Sequence, residues 1–139
     1  MKKAVLLFSL LLCSLFINAQ ESEGTTITVT INNITSDKGK VIMALHTEET
    51  FMKTKGVQSL DSEVQDGKVT LVFKNVTPGK YAILAIHDLN DNKKMDFEPS
   101  GMPIESYGMS GNEMLMGPPT FEDAVFEVTD KPIEMSIRF

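Results

Sequence analysis

Thr77-Pro78-Gly79-Lys80-Tyr81-Ala82-Ile83-Leu84-Ala85-Ile86 is the stretch on which the fold turns. Thr-Pro-Gly is turn chemistry, because proline presets φ and glycine tolerates the return. Tyr81 to Ile86 is then an almost continuous apolar run, and such a run reads as a strand buried on both faces at the centre of a sheet.

Outward from it, several segments alternate apolar and polar residues with period two, the mark of strands with one buried and one wet face. Val69, Leu71 and Phe73 alternate after the turn signal Asp66-Gly67, as do Val41, Met43 and Leu45. Ile27, Val29 and Ile31 alternate with Thr28, Thr30 and Asn32. At the C-terminus Ile133, Met135, Ile137 and Phe139 oppose Glu134, Ser136 and Arg138, behind Lys131-Pro132. Weaker strands are expected at Gln58 to Val64 and Ala124 to Val128. Glu48 to Lys53 alone looks helical, with Phe51 and Met52 as plugs for an open edge. About seven short strands with turns between them predict an all-β fold, a single antiparallel β-sandwich over residues 20–139. From Asp88 to Thr120 no strand is expected, and a loop of that length in a compact domain is usually functional or disordered. An eight-stranded outer-membrane barrel is disfavoured, because no Trp and only two Tyr are present to form aromatic girdles.

The first nineteen residues differ in kind. Met1-Lys2-Lys3 is a positive start, Ala4 to Ile17 is an almost unbroken apolar run, and Asn18-Ala19-Gln20 offers a small residue for cleavage. That is the pattern of a secretory signal peptide cut after Ala19, in a run shorter than the ~20 residues that span a bilayer. A retained anchor and a lipid on Cys13 are the alternatives; Leu12 is bulky where a lipoprotein signal places a small residue. The expected location is therefore periplasmic or secreted. Loss of Lys2 and Lys3 leaves 11 of the 13 basic residues against 19 acidic ones, a net −8. Such a surface repels nucleic acid and anionic membranes. Cys13 is the one cysteine and leaves as well, so no disulfide is expected and stability rests on the core and a bound ion. The expected state is a monomer.

The candidate site leaves the end of the central strand: His87-Asp88-Leu89-Asn90-Asp91-Asn92-Lys93-Lys94-Met95-Asp96-Phe97-Glu98. Oxygen-bearing side chains recur at Asp88, Asn90, Asn92 and Asp96, Lys94 offers its backbone carbonyl, and Glu98 sits one place short of the twelfth position. That spacing suits calcium, which takes six to eight oxygens from a tight loop. Lys93 occupies the sixth position, where such loops place glycine because φ is positive; lysine there costs roughly 1 kcal/mol. The competing reading is a polar turn whose Asp and Asn side chains cap their own backbone. Beyond it, the glycines and proline of Gly101 to Asn112 predict a rigid excursion, with Glu105 and Tyr107 folding back on the loop, or with Tyr107 and Met109 covering one end of the core.

His46 and His87 are the two histidines, and their spacing gives no zinc site. A hydrolase using His87, Asp88 and Glu105 is the enzymatic alternative, but no nucleophile motif accompanies it. A phosphate-binding glycine loop is also lacking.

Four segments carry a resemblance: Asn75-Val76-Thr77-Pro78-Gly79-Lys80-Tyr81-Ala82-Ile83, His87-Asp88-Leu89-Asn90-Asp91-Asn92, Gly101-Met102-Pro103-Ile104-Glu105-Ser106-Tyr107-Gly108 and Pro119-Thr120-Phe121-Glu122-Asp123-Ala124. In that order they resemble an uncharacterised bacterial family, domain of unknown function 2141, over roughly Ile27 to Phe139. The resemblance implies exported single-domain proteins with an immunoglobulin-like or prealbumin-like sandwich and no established activity. The strand start at Pro78-Gly79 is also similar to that of surface-protein B-type repeats and carboxypeptidase regulatory domains, whose calcium loops imply the same role for Asp88, Asn90, Asn92 and Asp96. The expectation is a non-enzymatic exported module that presents its long loop to a protein, glycan or small-molecule ligand. A structural accessory that pairs through an open sheet edge is the remaining alternative.

Overall fold

A computed structural model describes residues 24–139. The expected signal segment, its cut after Ala19 and Cys13 lie outside the described residues. Among the described residues no helix is long and apolar enough to cross a membrane.

The chain runs β1 (Thr25–Ile31), β2 (Lys40–His46), β3 (Gln58–Glu63), β4 (Val69–Val76), β5 (Gly79–Asp88), β6 (Tyr107–Met109), α1 (Phe121–Ala124), β7 (Phe126–Val128) and β8 (Ile133–Ile137). One sheet has the order β4-β1-β8; the other has β3-β2-β5-β6, with β7 also pairing β5. Together they form a β-sandwich. The alternation seen in the sequence sets which side chains enter it. Ile27, Val29 and Ile31 of β1 and Val41, Met43 and Leu45 of β2 are all fully buried, and Phe73, Ile83 and Ile137 meet them between the sheets. Full burial of one such side chain contributes about 1.5–3 kcal/mol, so this layer holds the fold together.

The central strand is covered twice, as its apolar run requires. Tyr81, Ile83 and Ala85 of β5 face the layer between the sheets, whereas Ala82 and Leu84 face a second cluster on the outside with Phe51, Met109, Phe121 and Ala124. Phe51 and Phe121 meet there edge to face, their ring centroids 5.9 Å apart. The Asp66-Gly67 turn is as its dipeptide predicts. Both residues have positive φ, 52° and 68°, and Gln65 and Lys68 bond each other across them.

Six expectations need correction. The strands number eight, and one pair, β1 with β8, is parallel rather than antiparallel. A short strand, β6, does lie within the long excursion, because Tyr107-Gly108-Met109 finds the free edge of β5. The strand expected over Ala124 to Val128 begins later, since Phe121 to Ala124 forms one helical turn whose Phe121 and Ala124 both point inward. Glu48 to Lys53 is a chain of turns rather than a helix. Phe51 plugs the outer cluster as expected, but Met52 has φ 55° and is exposed.

Candidate functional site

Asp88 closes β5 and is completely buried. Its carboxylate is not idle there. Oδ1 accepts the Asn92 backbone N–H at 3.1 Å and Oδ2 accepts that of Lys93 at 2.7 Å. Asn90 Oδ1 also accepts from Asn92 N at 3.2 Å, and Asn92 Oδ1 accepts from Lys94 N at 2.9 Å. These are the self-capping bonds of Asx turns, and they wind the chain tightly. The winding places Asp91 and Lys93 in the left-handed region, at φ 57° and 62°. Lys93 thus adopts the backbone anticipated for the sixth position of the loop.

Three of the expected ligands converge across this turn. Asn90 Nδ2 lies 2.7 Å from Asp96 Oδ2, and Asn92 Nδ2 lies 2.8 and 3.0 Å from the two oxygens of the same carboxylate. Asp88 approaches through the backbone it caps. Glu98 stands apart, accepting from the Ser100 hydroxyl at 3.3 Å, and Lys94 contributes a backbone N–H to Asn92. Among the described residues no three His, Cys, Asp or Glu side chains come together as a metal-holding group. The oxygen set is therefore two carboxylates and two amides. Hard oxygens of this kind are what calcium takes, but the two amides turn nitrogen rather than oxygen toward Asp96.

Glu105, which the sequence reading placed beside this loop, is its second fastener. It is 4% exposed, and its two oxygens accept Leu89 N–H at 2.9 Å and Asp96 N–H at 3.2 Å. Backbone bonds complete the frame: Ile104 N to Asp96 O at 2.9 Å, Glu98 N to Met102 O at 2.8 Å and His87 N to Ser106 O at 2.8 Å. With both ends tied to the sheet, the segment turns large apolar side chains outward. Phe97 is 58% exposed, Met102 64% and Ile104 57%, and Phe97 pairs with Pro103 in an isolated antiparallel bridge.

The histidines lie at opposite ends of the β2–β5 ladder, where His46 pairs with Ala82 and His87 with Val41, so they share no site. His87 is buried; its Nε2 donates to the Lys38 carbonyl at 2.8 Å, and its ring stacks on Phe139 with centroids 6.3 Å apart. Gly39, next to Lys38, has φ 70° and lies so close to the Asp88 carbonyl that no side chain fits. His46 is buried against the edge of Phe51. Burial lowers its pKa below the ordinary histidine value, opposed by a hydrogen bond with Thr50.

Two residues that sequence reasoning did not single out hold the end of the excursion. Ser110 is buried, accepts the Ile83 N–H at 2.9 Å and donates to the Ala124 carbonyl, so its hydroxyl prolongs the β5–β6 ladder and ties in α1. Asn112 reaches the outer edge of β8, donating to Ser136 O at 2.9 Å and accepting from Arg138 N at 2.8 Å. It acts as a one-residue substitute for a neighbouring strand. Glycines at 108 and 111 flank these positions and were the one signal that the backbone comes close there. Tyr107 is half exposed, so Met109 alone covers the core end.

A two-sheet β-sandwich whose central strand runs directly into a loop fastened by buried carboxylates is the class of domain that these features define. The chain matches, over residues 29–136, the model of a family described as an uncharacterised protein conserved in bacteria, DUF2141, and it belongs to that family. No curated protein and no solved structure matches it.

Proposed function

We propose that the protein is an exported, non-enzymatic binding module that offers the apolar outer side of residues 96–107 to another exported protein. The observation that carries this reading is the pairing of buried anchors with exposed apolar side chains. Asp88 and Glu105 spend their carboxylates on holding the loop backbone, and Phe97, Met102 and Ile104 are held out in water. Large apolar side chains held in water by an ordered frame are candidates for an interaction surface. The same bonding speaks for binding over hydrolysis, because His87, Asp88 and Glu105 are all buried and engaged with backbone groups. Asn112 covering the β8 edge speaks for the loop over that sheet edge as the docking element.

A photo-crosslinking residue at Ile104, in cells that produce the protein, tests this. A discrete adduct is expected from position 104 and not from exposed Thr70 on β4, and Phe97→Asp should abolish it without lowering the melting temperature. No adduct at 104, or the same adducts at both positions, contradicts the reading. A glycan or small-molecule ligand would leave position 104 without a protein adduct.

A second reading, that calcium stabilises the loop, is favoured by the left-handed Lys93 and by the convergence of Asn90 and Asn92 on Asp96. For an ion to enter, both amides would have to rotate so that Oδ1 faces inward, giving up the bonds that Asn90 Oδ1 and Asn92 Oδ1 accept from the backbone N–H groups of Asn92 and Lys94. Asp88, Asn90, Asn92 and Asp96 would then hold the ion with the Lys94 carbonyl, and Glu98 would serve from one place early. The expected affinity is weak, about 10⁻⁴ to 10⁻³ M. The melting temperature should rise and saturate with millimolar calcium relative to EDTA, Asp96→Ala should remove the rise, and Lys93→Gly should stabilise by about 1 kcal/mol or less in EDTA. A flat calcium response contradicts this reading and leaves a self-capped turn.

A further inference from the structure

Arg138 is the one arginine of the chain, and residues 95–130 contain no lysine, arginine or histidine. A groove of about 390 Å³ opens between β6 and the residues that follow β8, and Arg138 is the only cation that lines it. Gly108 is what brings the two elements together. A Cβ there would collide with the Arg138 carbonyl, so a side chain at 108 would push the end of the chain away from β6. Asn112 then holds Arg138 in place: its Oδ1 accepts the Arg138 backbone N–H at 2.8 Å, and its carbonyl accepts from Arg138 Nη2 at 3.3 Å. That is one bond from a guanidinium that carries five N–H donors.

The same groove has one acidic side chain in its lining, Glu113, which is exposed. The two charges share the groove without joining, because among the described residues the one ion pair is Lys40 with Asp61, at 3.3 Å. Around them the lining is largely apolar or aromatic, with Tyr107, Met109, Leu115 and Phe139. A cation and an anion that line one apolar groove without neutralising each other are complementary to a ligand that carries both charges. Size narrows the class further. Small-molecule sites run to roughly 300–1,000 Å³, so this groove lies at the small end and suits a zwitterion with a single apolar side chain.

We propose that this groove binds a free apolar α-amino acid. The ligand carboxylate takes the fork of Arg138, whose planar donors match two carboxylate oxygens. Its ammonium takes Glu113, and its side chain lies against Tyr107, Leu115 and Phe139. Both protein charges stay in contact with water, so the expected affinity is weak, in the millimolar range. The site uses neither the turn at Asp88–Asp96 nor Phe97, Met102 and Ile104, and it is independent of the docking surface proposed above.

The test is a titration of the protein with L-phenylalanine, followed by backbone amide shifts in NMR. Two further probes run beside it: N-acetylphenylalanine, which lacks the ammonium, and phenylalaninamide, which lacks the carboxylate. Saturating shifts are expected at Gly108, Met109 and residues 112–115 and not in β1. Glu113→Gln and Arg138→Gln should each weaken phenylalanine about fivefold, the loss of one partly exposed charged bond, with the melting temperature unchanged. The acetylated compound should be indifferent to Glu113→Gln, and the amide to Arg138→Gln. No saturation up to the solubility limit of phenylalanine overturns the proposal. Equal binding of all three compounds overturns it as well and leaves a bare apolar groove, and a response to Arg138→Gln alone overturns it in favour of a site for any apolar carboxylate.

Discussion

Between Thr25 and Asp88 the chain is held by apolar side chains packed between two sheets and by bonds from one backbone to another; between Leu89 and Ser106 it is held chiefly by side-chain oxygens that accept backbone N–H groups. The first region excludes water and faces inward. The second uses two buried carboxylates, Asp88 and Glu105, as posts, and leaves its apolar residues outside. Burial of large side chains needs many neighbours at once, so it produces a cooperative body. Carboxylates accepting amide N–H groups can order a segment that has no core of its own. The difference explains how a domain of this size carries a long loop without wrapping it around a second core.

Removing one element from each region separates the two kinds of support. Phe73→Ala empties part of the layer between the sheets and should cost about 3–5 kcal/mol of global stability, read from denaturant unfolding. Glu105→Ala leaves the Leu89 and Asp96 amides without their acceptor and should cost about 2–3 kcal/mol, with the loss confined to faster amide exchange in residues 89–106. If Glu105→Ala speeds exchange in β1 and β2 as much as in the loop, the two regions are one cooperative unit and the comparison fails.

A smaller effect comes from His46, which belongs to the packed body but touches only its outer cluster. Burial favours its neutral form, so the folded protein takes up this proton at lower pH than the unfolded chain does. This contribution is complete above about pH 6.5, the ordinary histidine value, and is lost as pH falls toward the lowered value in the fold. The melting temperature should decline over that acidic window, and His46→Phe, which keeps an aromatic ring against Phe51, should flatten the decline. An unchanged slope would place the acid sensitivity elsewhere.

The packed body was legible in the sequence because a strand with one buried face must alternate. Ile27, Val29 and Ile31, then Val41, Met43 and Leu45, name both the strands and their inward sides, and the unbroken run from Tyr81 names the strand covered twice. Alternation is blind to direction, however, so the parallel pairing of β1 with β8 was invisible. It is also blind to a three-residue strand such as β6, where Gly108 interrupts the pattern, and to the single turn of α1, whose Phe121 and Ala124 sit three apart. In the loop, position predicted the positive φ at Lys93, and the resemblance read from four segments agrees with the family match over residues 29–136. What spacing did not reveal is that Asp88 is buried and that Ser110 and Asn112 complete ladders. Each depends on which backbone groups a distant part of the chain brings near, and short polar side chains carry no periodic mark of that.

The central claim is that the loop is ordered by its own carboxylates. Amide hydrogen exchange of Leu89, Asn92, Lys93 and Asp96, measured residue by residue in EDTA, tests it most directly. The account predicts exchange far slower than for an unstructured chain at all four positions, because each N–H is donated to Asp88 or Glu105. Exchange at the unstructured rate for these amides, beside full protection of β1 and β2, would contradict it.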